Sequence, residues 1–255
     1  MADLFDGFVR TNLWWSFALH EIKQRFRRSI IGPFWMTLSM GIFVAALGFV
    51  MSQLFGQDVN WFIPYLATGI IFWNFFTSIV NESCTAFIAA EGHIRNVPMP
   101  ISVHFYRMIA RNVIVWLHNM VIYFIVFLIF QHDISWHYLN FVPGLILFLS
   151  ITSFLGLILA ILSTRYRDIP QMVVSVLQVI FFITPVFWSV MTFPDRPVFI
   201  HWNPIYHLLE IVRAPLLGQS PAAESWIVCI AVLFVLIPMA ILLYRRAYSR
   251  IPYWT

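Results

Sequence analysis

Residues 11–35 read Thr-Asn-Leu-Trp-Trp-Ser-Phe-Ala-Leu-His-Glu-Ile-Lys-Gln-Arg-Phe-Arg-Arg-Ser-Ile-Ile-Gly-Pro-Phe-Trp. At helical spacing Trp14, Ala18, Ile22 and Phe26 form one row, which Leu13 and Phe17 widen into an apolar stripe. His20, Lys23, Gln24, Arg27 and Arg28 fall on the other side. Such a helix suits the plane of a membrane, with its aromatic side down and its cations toward anionic headgroups. Gly32-Pro33 breaks it, and an apolar run starts at Phe34. A basic cluster so close before a spanning run holds that side in the cytoplasm.

The rest of the chain fits that corner. Its 255 residues are 61% hydrophobic and 10% charged, with 26 Phe and 11 Trp. A soluble domain carries about 25% charged residues, so this chain reads as a polytopic membrane protein. The net charge of +4 sits at membrane edges rather than in one patch, which argues against nucleic acid as a partner. Cys84 and Cys229 lie in or beside apolar runs and suggest neither a disulfide framework nor a metal site. The first 30 residues lack a compact apolar core, so the first spanning helix is expected to serve as the targeting signal.

A spanning helix needs about 20 apolar residues. The runs 34–52, 61–81, 108–130, 141–163, 171–190 and 226–244 qualify. With both termini in the cytoplasm, thirteen Lys and Arg residues fall inside and only Arg196 and Arg213 outside. That asymmetry favours six helices over five or seven. The expected fold is all-α, a single transmembrane domain over 1–255, with no linker and no internal repeat of the secondary-carrier kind. Thr152, Gly156 and Ala160 have the spacing that lets helix backbones approach closely in lipid. Pro185 and Pro238 are expected to kink their helices. His118 and Asn119, near the middle of the third helix, are expected to make interhelical hydrogen bonds.

No constellation for covalent catalysis is visible. His132, Asp133 and His137 sit in a short external loop without metal-ligand spacing. The only lysine is Lys23, so the chain cannot build a P-loop, and an ATP-driven function must borrow its ATPase. The chain is therefore expected to be no enzyme and to carry no cofactor; if it is driven by ATP, then ATP and Mg are held by a partner. Few acidic residues lie at membrane depth, Glu82 being at the inner end of its helix, which counts against a proton-coupled antiporter. The stretch 191–225 reads as two short helical pieces, about 192–201 and 204–217, broken at Pro194, Pro197 and Asn203-Pro204. Glu210 and Arg213, three apart, can pair there. Residues 91–107 form a long inside connection in which Pro98 and Pro100 forbid one continuous helix.

Five sequence pieces, in order, resemble the integral membrane subunits of ABC-2 type polysaccharide exporters, the permeases for O-antigen, capsule and teichoic-acid export. They are Arg25–Trp35, Leu155-Gly156 with Ser163–Pro170, Thr184–Trp188, Asn203-Pro204 with Arg213, and Ile251–Trp254. The resemblance implies that two copies of the subunit, a homodimer, pair with two copies of a cytoplasmic ATP-binding subunit in a bacterial inner membrane. It implies an interface helix over 11–30 and a coupling helix over 91–100, with Glu91, Gly92, His93, Ile94, Arg95 and Asn96 seated in the ATPase. It also implies external gate helices over 191–217, with Trp202, Asn203, Pro204, Glu210 and Arg213. A lipid-linked polysaccharide needs a continuous channel, and Phe43, Phe181, Phe187 and Trp188 are expected to line it. Arg25, Arg27 and Arg28 are expected to attract the pyrophosphate of the lipid carrier. The alternatives are an ABC-2 permease for drugs or other small molecules, and a membrane-embedded acyl- or glycosyltransferase.

Overall fold

A computed structural model describes residues 2–27, 31–32, 34–130, 135–190 and 198–255. The described residues form helices and turns without a strand. In chain order the helices are α1 (Ala2–Val9), α2 (Thr11–Arg25), α3 (Phe34–Phe55), α4 (Val59–Thr85), α5 (Glu91–Asn96) and α6 (Ser102–Phe130). There follow α7 (Phe141–Arg165), α8 (Ile169–Ile183), α9 (Val198–His201), α10 (Pro204–Leu216), α11 (Ala223–Ala247) and α12 (Ile251–Trp254). Among the described residues, α3, α4, α6, α7 and α11 are long and apolar enough to cross a membrane. The chain is an all-helical polytopic membrane protein, as its composition predicts.

The centre of the bundle is α4. Asp58 caps it, its carboxylate accepting the Asn60 N–H at 3.1 Å. From Phe62 to Cys84 most of its side chains are buried against α3, α6, α7, α8 and α10. Phe72, Phe75, Trp116 and Phe148 stack into an aromatic core, with Phe75 parallel to Trp116 at 5.2 Å. By contrast α3, α8 and α11 leave most of their apolar side chains at least partly exposed, which is expected of helices facing lipid or a neighbouring subunit.

Small residues set the α4–α7 distance. Thr152, Gly156 and Ala160 are all buried, and a side chain on Gly156 would run into the Ser83 hydroxyl on α4. Gly156→Ala is tolerated, because that hydroxyl can rotate away. Gly156→Leu is expected to force the helices apart and destabilise the subunit by about 1–3 kcal/mol. The melting temperature of the detergent-purified protein, highest for the wild type and lowest for the leucine variant, checks this.

Several sequence expectations need correction. The helix expected over 171–190 stops at Ile183. Thr184 precedes a proline, which disfavours helical backbone, and it adopts an extended ψ of 134°. Pro185 therefore ends its helix instead of kinking it. At 1.5 Å per residue the fifteen residues of α8 span about 22 Å, less than the roughly 30 Å of a hydrocarbon core. For the same pre-proline reason the helix expected over 91–100 stops at Asn96, and Val97 before Pro98 is extended. Pro238, by contrast, lies inside the uninterrupted α11.

The amphipathic stripe of α2 also finds a protein partner rather than lipid. Ala18 and Ile22 pack on Ala110 and Ile114 of α6, flanked by Trp14 and Phe26. At His118 the interhelical bond runs from the Thr37 hydroxyl of α3 to the backbone carbonyl, at 3.1 Å. The imidazole itself turns back to Ile114 of its own helix, at 2.8 Å, and the Asn119 side-chain oxygen is buried without a hydrogen bond. The helices α1 and α12 were not legible as helices, and both termini lie at one end of the bundle. Asp3 is hydrogen-bonded to Tyr244, and Arg167 donates to the Trp254 carbonyl at 2.9 Å. Cys84 and Cys229 are free and buried.

Candidate functional site

One face of α4 carries a run of polar side chains, Asn74, Thr77, Ser78, Asn81 and Glu82, at spacings of three and four. These residues form the floor of an open groove. Its wider part, about 590 Å³, lies between α3, α4 and α8 and is bordered by Phe43, Trp73, Asn74, Thr77, Gln178 and Phe181. A second recess of about 470 Å³ runs toward the end that carries the termini, between Arg25, Ser39, Ser78, Glu82, Arg111 and Asn112. Phe43 and Asn74 border both, so the two volumes adjoin.

Chemistry changes along the groove. Four aromatic rings, Phe43, Trp73, Phe181 and Phe182, line the wide part beside the polar Asn74, Thr77, Asn81 and Gln178; Trp73 lies 5.3 Å from Phe181, which lies 5.1 Å from Phe187. Of the four side chains expected to line a channel, Phe43 and Phe181 border the groove. Phe187 buttresses Phe181 and Phe182 from behind, and Trp188 Nε1 donates to the Phe182 carbonyl at 3.1 Å. The polar floor was missed. Its signal was in the sequence, where Asn74, Ser78 and Glu82 recur every fourth residue within an otherwise apolar run.

The narrow recess ends in ion pairs that join three helices. Glu21 of α2 forms an ion pair with Arg107 of α6 at 3.0 Å and accepts a hydrogen bond from Arg111 one turn further on. Glu82 of α4 accepts from the other side of Arg111 at 2.7 Å and from Asn112. Arg25 points into the same recess and pairs with no carboxylate among the described residues, its guanidinium lying over Phe26 at 5.9 Å. Arg27 is exposed, and Arg28 lies outside the described residues.

Beyond α4 the chain passes through buried Phe87 and Ala90 into α5. Gly92, His93, Arg95 and Asn96 are exposed there, while Ile94 packs against the bundle core. A salt bridge of 3.0 Å from Arg95 to Glu91 and a bond from Asn96 to the Gly92 carbonyl brace this single turn and a half. The adjoining tail is ordered by Arg165, which lies over the rings of Tyr166 and Trp254. Just past α11, burial and the neighbouring Asp3 carboxylate raise the pKa of Tyr248.

At the opposite end, α10 begins at a strong cap. Asn203 Oδ1 accepts the Ile205 and Tyr206 amides at 3.0 and 3.3 Å, and Pro204 occupies the first helical position. Asn203 Nδ2 reaches the Thr184 hydroxyl at 2.9 Å. Arg213 is only 2% exposed. One of its nitrogens donates to the Pro185 carbonyl at 2.7 Å and another to Glu210 at 3.1 Å, and its guanidinium lies 4.1 Å from the Tyr65 ring centroid. The Tyr65 hydroxyl donates to the carbonyls of Pro185 and Trp188, both at 3.2 Å. The turn that ends α8 is thus tied to α4 and α10 together. Trp202 is exposed beside this cluster. Residues 191–197 of the expected gate, and His132 and Asp133, lie outside the described residues.

A family model described as ABC-2 type transporter matches residues 12–217. Two similar proteins are each described as O-antigen export system permease protein RfbA. The one from Myxococcus xanthus is 23% identical over 226 residues, 87% of either chain. The one from Klebsiella pneumoniae is 20% identical over 191 residues, 74% of either chain.

Proposed function

The chain belongs to the ABC-2 type transporter family, and from that premise we propose that it is the channel-forming subunit of an exporter of lipid-linked polysaccharide. O-antigen is the cargo this reading favours, since both relatives carry O-antigen export in their descriptions. In this reading two copies form a homodimer, and two cytoplasmic ATPase subunits bind ATP and Mg and supply the energy. The end with the termini and the basic α2 faces the cytoplasm of the bacterial inner membrane. There α5 sits in the ATPase, and α9 and α10 form the gate on the far side.

The observation that carries the proposal is the continuous groove, charged at one end and aromatic further along. A polymer needs a path rather than a closed pocket. Aromatic faces stack on sugar rings without fixing one register, so a chain of repeating units can slide. The groove is open on the side of α3 and α8, so a lipid-anchored substrate can enter from the bilayer and a second copy can close the wall. Arg25, unpaired and aimed into the recess, supplies positive charge at headgroup level for a pyrophosphate.

Two measurements test the reading. An ATPase subunit should co-purify with the chain, and deleting the chain's gene should leave polysaccharide inside the cell. In addition, the double variant Arg25→Gln, Arg27→Gln should insert in the same orientation yet export about tenfold less, the loss of one charge-assisted contact to phosphate. Arg25→Lys should retain part of the activity. Full export by the double glutamine variant removes the pyrophosphate role.

A further inference from the structure

The connection from α4 to α6 has two feet, and the second is held by the chain's own N-terminus. Asp3 Oδ2 accepts the Ile101 amide at 2.9 Å, and Oδ1 accepts the Ser102 amide at 3.1 Å. The Ser102 hydroxyl donates back to the Asp3 carbonyl at 2.7 Å. One turn along α6, the Tyr106 hydroxyl donates to the Leu4 carbonyl at 3.1 Å and its ring meets the Phe8 edge at 5.7 Å. From a third side Tyr244 of α11 donates to Asp3 Oδ1. Gly7 lies so close to Ser102 that any side chain would collide with the serine hydroxyl.

An ordinary helix cap needs one polar side chain at the residue before the helix. Here a buried carboxylate arrives from 98 residues away and binds two helix-starting amides at the positive end of the α6 dipole. The position of this cap also matters. Immediately upstream, Val97–Pro100 lies outside any helix, bends at Val97 and Met99 and carries two prolines, a hinge able to swallow any movement of α5 if its far end were loose. His93 of α5 also covers His104 of α6 with the rings 5.7 Å apart. His104 is 1% exposed with neither nitrogen hydrogen-bonded.

We infer that Asp3 is a positioning residue for energy coupling: with Gly7 and Tyr244 it clamps the downstream foot of the 91–100 connection, so that displacement of α5 is delivered into α6. This rests on the reading of α5 as the segment seated in the ATPase. From Ser102 the load runs along α6 to Arg107 and Arg111, which hold Glu21 on the interface helix and Glu82 on the groove floor. With the foot released, α5 still docks and the ATPase still turns over, but the movement is spent in the hinge.

The test uses the subunit co-purified with its ATPase in phosphatidylethanolamine–phosphatidylglycerol nanodiscs, together with surface polysaccharide in a strain lacking the native gene. Asp3→Asn and Gly7→Ala should lower the melting temperature by a few degrees, as loss of a buried cap or a tight contact does, yet keep co-purification and basal ATP hydrolysis near wild type. Stimulation of hydrolysis by undecaprenyl diphosphate should disappear, and surface polysaccharide should fall about tenfold, a loss typical of misplaced rather than missing groups. Asp3→Glu should recover part of both. Export near wild type in both variants overturns the clamp. So does a parallel fall of co-purification, basal hydrolysis and melting temperature, which makes Asp3 a folding cap alone. A wild-type subunit that recovers no ATPase overturns the exporter reading, and the clamp with it.

Discussion

Arg213→Met should destabilise the subunit by about 3 kcal/mol and abolish export, the lower end of the cost of breaking a buried ion pair because Glu210 keeps some contact with solvent. Methionine fills most of the volume, so packing is nearly preserved and the loss is electrostatic. The Pro185 carbonyl keeps only the Tyr65 hydroxyl as donor, and Glu210 loses its partner. The turn that closes α8 then has no tie to α10 through the guanidinium. Arg213→Lys should fall between, because a lysine keeps the charge but cannot present separate nitrogens in a fixed fork to the carbonyl and the carboxylate. Tyr65→Phe keeps the ring beneath the guanidinium and loses two hydroxyl contacts, so it should cost about 1 kcal/mol. Melting temperatures of the purified subunits order the three variants, and surface polysaccharide reports export. If Arg213→Met exports normally, this buried cation has no part in the gate.

What was legible in the sequence follows from where each signal lies. The Trp14–Ala18–Ile22–Phe26 row was visible because helical periodicity marks an apolar side. Its target was not, because a stripe facing lipid and a stripe facing α6 have the same composition. The central place of α4 was hidden for the same reason: its apolar residues look no different from those of the less buried α11. Pro185 was visible, but whether it kinks or ends a helix is decided by partners 28 and 120 residues away, Arg213 and Tyr65. The polar floor from Asn74 to Glu82 was within reach of periodicity and was passed over because its surroundings are apolar. Asp3 carried no local signal at all, since everything that binds it lies beyond residue 100.

The cluster at the narrow end of the groove is the second place where one residue holds the machine together. Arg111 sits between two carboxylates, Glu21 on α2 and Glu82 on α4. Arg111→Met leaves Glu21 to Arg107 and leaves Glu82 facing the recess with Asn112 alone. The site is half-exposed, with side-chain exposures of 25% for Arg111 and 35% for Glu82. Solvent screening therefore keeps each pair to about 1 kcal/mol, and the subunit should fold. Function should suffer far more than stability. The recess loses the cation that balances Glu82, so on the exporter reading proposed above an unpaired carboxylate would meet the carrier's phosphate at close range. Export should then fall by about tenfold, because a screened repulsion of about 1 kcal/mol adds to the loss of an attraction of similar size, and about 1.4 kcal/mol is a factor of ten. The second substitution Glu82→Gln should restore much of that export by removing the repulsion, although it restores no ion pair. In a cluster that merely stabilises the fold, export follows melting temperature, so the double variant would regain export only as far as it regains stability. Surface polysaccharide in the single and double variants, measured beside their melting temperatures, separates a charge-balanced entry from a structural brace.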